Sequence, residues 1–243
     1  ALLAAGVDVN CKGAEGWTPL MYACYEDHVK VIDALLARKE IQINQAANDG
    51  RTSLYMACGN GHVKVITAFL SRKEIQINQA ANDGATPLFI ACHNDHVKVV
   101  NLLLKRKEIQ INQANNNGDS PLYVACQHDV VKVVNVLLAR KEIQINQAAN
   151  DGWTPLSIAC QNGHGKVINA LLKKKEIQIN QATSKGTTPL STACLNGHAK
   201  IVNALLARKE IKINQAANNG ATPLCIACQN GHGKVINALL KKK

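Results

Sequence analysis

Cysteine, histidine and lysine are the side chains of this sequence that could do chemistry, and each recurs at one fixed interval. Cys24, Cys58, Cys92, Cys126, Cys160, Cys194 and Cys228 form a series spaced by 34 residues. His28, His62, His96, His164, His198 and His232 form a second, interrupted only by Val130. A thiol series could bind metal or form disulfides only if its members converged. Stacked helices lie roughly 8–10 Å apart, whereas a disulfide needs Cα atoms within about 7 Å and zinc needs sulfurs about 2.3 Å from one ion. A ladder does not converge, so the cysteines read as small buried hydrophobes. Cys225 and Cys228 spell C-x-x-C, but no second pair completes a metal site. Recurrence of histidine at one place assigns it a structural task at a loop and helix start. His93 and His128 lie outside that series and read as surface residues. No catalytic residue, metal ligand or cofactor is expected.

The cations are sorted as strictly. Lys30, Lys64, Lys98, Lys132, Lys166, Lys200 and Lys234 open one set of predicted helices, and pairs such as Arg38-Lys39 and Arg140-Lys141 close them. With a formal net charge of +11, this is either a solvated face whose terminal cations complement the helix dipole or a basic strip for nucleic acid or anionic membrane. The second reading is the weaker one: these helices carry almost no aromatic residue for base stacking, and lysine outnumbers the arginine that base readout favours.

The elements that position these residues follow from one unit, Gly50 to Gln79. Asn48-Asp49-Gly50 is turn chemistry. Thr before Pro, as in Thr18-Pro19, Thr86-Pro87 and Thr154-Pro155, places a hydroxyl N-cap before a proline at the first helical position. Leu54, Ala57 and Cys58 then share one helix face, and Asn60-Gly61 ends that helix. A second helix is predicted from near His62 to about Arg72, burying Val65, Ile66, Phe69 and Leu70. The alternation of Ile75, Gln76, Ile77 and Asn78 predicts a short extended arm. Neither helix buries its apolar face alone, so copies must stack.

G-x-T-P-L-x-x-A-C, N-G-H, V-x-x-L-L and I-x-I-N together resemble the ankyrin repeat, over essentially the whole chain. Three departures stand out. The period is 34 rather than about 33, RKEIQIN standing where the family has G-A-D-V-N. Only Gly6-Val7-Asp8-Val9-Asn10 keeps the family form. The family's His after T-P-L is replaced by Met21, Tyr55, Phe89, Tyr123, Ser157, Ser191 and Cys225. The resemblance implies an all-α repeat solenoid of stacked helix-turn-helix units with short extended hairpin arms, right-handed, as a single array over residues 1–243. Units begin near residues 13, 47, 81, 115, 149, 183 and 217, and residues 1–12 are the end of a preceding repeat. The sequence opens within a predicted second helix, so an excerpt of a longer array is expected.

Three places in the unit differ among copies. One follows the turn glycine (Trp17, Arg51, Asp119 and Trp153 among them), the second follows T-P-L, and the third lies four residues on (Tyr25, Gly59, His93, Gln127, Gln161). Residues at i and i+4 share a helix face, so the second and third sets are expected to flank one groove with the first at its lip. By family pattern that groove is the partner-binding surface, and aromatic side chains are the usual anchors. The candidate binding residues are Trp17, Tyr25, Arg51, Tyr55, Phe89, His93, Asp119, Tyr123, Gln127, Trp153 and Gln161. Exchanging Tyr55, Phe89 and Tyr123 for Ala is expected to abolish binding with little effect on stability. The resemblance thus implies a monomeric, non-enzymatic scaffold for a protein partner; nucleic acid or acidic membrane on the lysine face, or a spacer in a longer protein, are the alternatives. An odd count of nine cysteines, no glycosylation sequon and no basic leader before ALLAAGVDVN lead to an expected intracellular, cytoplasmic setting with no signal peptide.

Overall fold

The computed structural model describes residues 6–242; the helix expected at the opening of the chain lies outside them. Among the described residues the chain forms fourteen helices in seven pairs. They are α1 (Pro19–Tyr25), α2 (Val29–Leu36), α3 (Ser53–Asn60), α4 (Val63–Leu70), α5 (Pro87–His93), α6 (Val97–Leu103), α7 (Pro121–Gln127), α8 (Val131–Leu138), α9 (Pro155–Asn162), α10 (Gly165–Leu172), α11 (Pro189–Leu195), α12 (Ala199–Leu206), α13 (Pro223–Gln229) and α14 (Gly233–Lys241). They fall into two compact units that divide after Asn116. Within each unit, the first helix of a pair packs on the first helix of the next, and second packs on second.

Each first helix starts where the hydroxyl cap was expected. The side chains of Thr18, Thr52, Thr86, Ser120, Thr154, Thr188 and Thr222 accept a hydrogen bond from the backbone N–H three residues on, a contact worth about 1 kcal/mol each. Gly61 and Gly163 end α3 and α9 in the left-handed region. The second helices are shorter than predicted: α4 stops at Leu70, so the R/K-K pairs lie just past the helix ends rather than in them.

The expected extended arm is a series of turns, and a single β-bridge, Ala46 to Thr52, is present among the described residues. The arms are held by side chains instead. Asn78 donates from Nδ2 to the Glu108 carbonyl at 2.7 Å and accepts from the Gln110 N–H at 2.9 Å. Asn10, Asn44, Asn146 and Asn180 make the same pair of bonds to the following arm. One asparagine per unit thus replaces two rungs of a sheet.

The arginine of the R-K-E-I-x-I-N stretch has a structural task. Arg106 and Arg208 reach back to the carbonyls of Leu70 and Leu172 at the end of the preceding second helix, and Arg72 does the same to Leu36. Their own glutamates, Glu108 and Glu210, steady two of them at 2.5 and 2.7 Å. The core between the helices is Leu, Ile, Val, Ala and Cys. Cys24, Cys58, Cys92, Cys126, Cys160 and Cys194 are buried, while Cys228, the last of the series, is exposed. Loss of hydration pushes the buried thiols far above their ordinary range, Cys194 to about 12, so they stay neutral and unreactive.

At the turns, backbone passes close to backbone. Gly84 has a φ of +81°, and a Cβ there would stand 2.6 Å from the backbone nitrogen of Asn116 in the next turn. Glycine is required at this place both for its conformation and for its clearance.

Candidate functional site

The three varied positions do not share one exposure, and the difference corrects the expected groove. The second set packs inward: Tyr55, Phe89 and Tyr123 are only 5%, 8% and 7% exposed, and Met21, Ser157 and Ser191 are fully buried. The reason is their place in the first turn of the helix, against the capping residue. Met21 accepts from the Thr18 N–H through its sulfur at 3.4 Å, and Ser157 and Ser191 share hydrogen bonds with the hydroxyls of Thr154 and Thr188 at 2.9 and 3.0 Å. Small polar side chains here complete the cap, and large aromatic ones fill the same space by packing. Tyr55, Phe89 and Tyr123 are therefore core residues, and their replacement by Ala leaves cavities.

The third set is the one at the surface. Tyr25 and Gln161 are exposed, and His93 and Gln127 half-buried. The backbones of Tyr25, Gln127 and Gln161 are held while the residue type at this place varies. The carbonyl of Gln127 accepts from Asn162 Nδ2 and from His164 Nε2, both at 3.0 Å. The carbonyls of Tyr25, Gly59, Gln161 and Leu195 accept in the same way from His62, His96, His198 and His232. A carbonyl can only accept, so Nε2 carries the proton in each. This is the task of the histidine series: it ties the loop of one unit to the end of the preceding first helix. His93, outside the series, meets Asn94 Oδ1 at 2.6 Å.

In the first compact unit the first and third sets converge. Tyr25, Arg51, Tyr55, Met56, Gly59 and Ile90 line an open pocket of about 160 Å³. The room exists because Gly59 has no side chain; a Cβ there would lie 3.3 Å from Ile90 Cγ1. The Arg51 guanidinium lies 5.5 Å from the centroid of the Tyr55 ring, a cation–π arrangement, and its Nε is 3.4 Å from Asp49. Burial raises the Tyr55 hydroxyl above its ordinary range, with the Arg51 charge opposing the shift. Beside the pocket, the half-buried Trp17 packs on Tyr22 and Tyr25 with centroids 5.1 and 5.6 Å apart. Tyr22 is 49% exposed and lies outside the three varied sets. The signal for it was the contrast with Met56, Ile90, Val124 and Ile158 at the same place in other copies.

In the second unit Asp119 and Trp153 lie at the turns, and Tyr123, Gln127 and Gln161 in α7 and α9. Asp119 and Trp153 are half-buried. Burial first, then the charges of Asp119 and Asp151, push the Tyr123 hydroxyl far up. The Trp153 N–H donates to Asp151 Oδ1 at 3.1 Å, so the turn aspartate orders the backbone before the varied residue. No group of three His, Cys, Asp or Glu that could hold a metal occurs among the described residues, and none of their helices is long and apolar enough to cross a membrane.

Family models for ankyrin repeats, each spanning three copies, match residues 1–81, 73–149, 111–183, 141–217 and 177–243. The chain belongs to the ankyrin-repeat family. A solved structure, the crystal structure of the human ASB11 ankyrin repeat domain, shares the fold with a TM-score of 0.77 at 24% identity, over 93% of this chain and 98% of that one. No curated protein sequence matches the chain. Ankyrin repeats are generally protein–protein interaction modules, and ankyrin-repeat proteins are typically non-enzymatic scaffolds. In these ankyrin units the position of the family's His after T-P-L has passed to side chains that serve the cap or the core, and ties between units run through the loop histidines and arm asparagines.

Proposed function

We propose that the chain holds a protein partner on its turn and first-helix face, with Tyr25, Arg51 and the pocket over Gly59 as the principal contact in the first unit. The exposed Tyr22 and the half-buried Trp17 extend that contact as aromatic surface, and His93 borders it. In the second unit Asp119, Gln127, Trp153 and Gln161 are the side chains on the same face. Tyr55, Phe89 and Tyr123 support the surface from beneath. The seven repeats from residue 13 onward act as an array of such surfaces. The free thiols support a reducing, intracellular setting.

The observation that carries this reading is the pocket, where an aromatic wall, a cation and a missing side chain come together on the face that varies. Aromatic and arginine side chains around a recess are the usual composition of a binding hot spot. The test is a Tyr25→Ala/Gly59→Gln variant, since glutamine already occupies the Gly59 place at Gln127, Gln161 and Gln229. In a pull-down from lysate at moderate salt, a protein retained by the native chain is expected to be lost with the variant while its melting temperature holds. Retention of the same proteins by both would reject the pocket. Material that elutes early with salt and ignores the substitutions would move binding to the lysine face.

A further inference from the structure

The second-helix side carries a repeated feature of its own. Between α8 and α10 lies a groove of about 600 Å³, floored by Leu138, Ala139 and Ala170 and rimmed by Lys166, Lys173 and Lys174. Between α12 and α14 lies a groove of about 270 Å³, lined by Leu206, Ala207, Ala238, Lys241 and Lys242 with Asn203. Each residue of the second set is the counterpart of one in the first, 68 positions on: Leu138 and Leu206, Ala170 and Ala238, Lys174 and Lys242. The same groove is built twice, two repeats apart.

Its origin is one substitution. At the place of Lys174 and Lys242 the other five copies have arginine: Arg38, Arg72, Arg106, Arg140 and Arg208. In the intervening repeat, Arg208 lays its guanidinium across to the Leu172 carbonyl and pairs with Glu210 at 2.7 Å. That arginine covers the space between second helices and is itself neutralised. Lysine cannot span the same distance with a planar fork. Among the described residues the Lys166, Lys173 and Lys174 side chains make neither a hydrogen bond nor an ion pair, and no acidic residue lines either groove. The result is an apolar floor under uncommitted ammonium groups.

We propose that these paired grooves dock an acidic segment of a partner protein, with one apolar side chain seated in each floor and carboxylates on the surrounding lysines. Charge complementarity selects an anionic partner, and the recessed floor selects among anions. A nucleic acid strand would engage the lysines through phosphate and leave the floor empty. A bilayer surface would rest on the lysine rim above it. A peptide side chain fills it. With neighbouring helices roughly 8–10 Å apart, the two floors are separated by roughly 20 Å. The apolar anchors of the segment are then about 13 residues apart in a helix or about six in an extended strand.

The experiment uses the full chain and fluorescence anisotropy at physiological ionic strength. The probes are a labelled glutamate–leucine peptide with two leucines about 20 Å apart, the same peptide with glutamine for leucine, a labelled oligothymidylate, and phosphatidylserine-containing vesicles. The decisive variant is Lys174→Arg/Lys242→Arg, which keeps the net charge and restores the residue found in the other copies. The leucine peptide is expected to bind the native chain and to lose about tenfold in affinity, or 1.4 kcal/mol, to the variant. Removing the leucines is expected to cost at least as much. Ala170→Met/Ala238→Met fills the floors by a second route and gives the same loss, with the melting curve of each variant as the folding control. Equal binding to native and arginine chains, tighter binding of the oligonucleotide or vesicles, or no binding of the leucine peptide would overturn the proposal.

Discussion

The two sides of each repeat handle variation in opposite ways. On the turn and first-helix side, residue type changes widely from copy to copy, yet the largest changes are absorbed inside: Tyr55 and Ser157 occupy one place, and both are buried. On the second-helix side the copies look nearly uniform, yet one exchange of Arg for Lys at positions 174 and 242 leaves the inter-helix groove uncovered. Variability and surface are therefore separate properties. A varied residue beside an N-cap is a packing choice, whereas a single lost guanidinium can change what the outside of the molecule presents.

The sharpest way to break this comparison is to remove the buried aromatics. Replacing Tyr55, Phe89 or Tyr123 with Ala is expected to cost about 3 kcal/mol each, as for large core side chains cut to Ala. The triple variant should show a large fall in urea midpoint; an unchanged midpoint would return these residues to the surface. A smaller effect is expected from Asn78→Ala, which leaves the Glu108 carbonyl and the Gln110 N–H without their side-chain partner. About 1–2 kcal/mol is the expected loss, with faster hydrogen exchange at the Gln110 amide as the local signature.

The smallest effect concerns the exposed glutamates of the second-helix side. Their own backbone N–H groups first, and the neighbouring arginines second, hold Glu40, Glu108, Glu142 and Glu210 below the usual carboxylate range. A lowered folded value means that the stabilisation is present above the unfolded value and is lost as pH falls through the folded one. Because these groups are fully exposed, the change in stability is slight, and the check is a carboxyl-carbon NMR titration. Midpoints at or above the ordinary glutamate value would show that the arginines are not engaged.

Much of the architecture was legible from residue type and spacing. Thr-Pro located the first helices, Asn-Gly their ends, and the Ala-Cys pairs the strip between them. The arm was misread because the alternation of Ile75 through Asn78 fits a strand, while Asn78 satisfies the backbone that a neighbouring strand would have paired. The candidate site was half legible. Tyr25, Arg51 and Gln161 are exposed as expected, but i, i+4 spacing placed Tyr55 and Tyr25's counterparts on one face without saying which end of the face meets the next helix. The Lys174 groove could not be read from the unit at all, since it depends on what Arg208 and its counterparts reach across a repeat.

Gly84 offers a last consequence. A Cβ there would press on the backbone of Asn116 from 2.6 Å, so the glycine acts as a spacer of zero thickness between consecutive turns. Adding one methyl at such a place would lever two turns apart as well as strain one. The pitch of the stack, and with it the width of any recess between first helices, is set by an atom the turn does without.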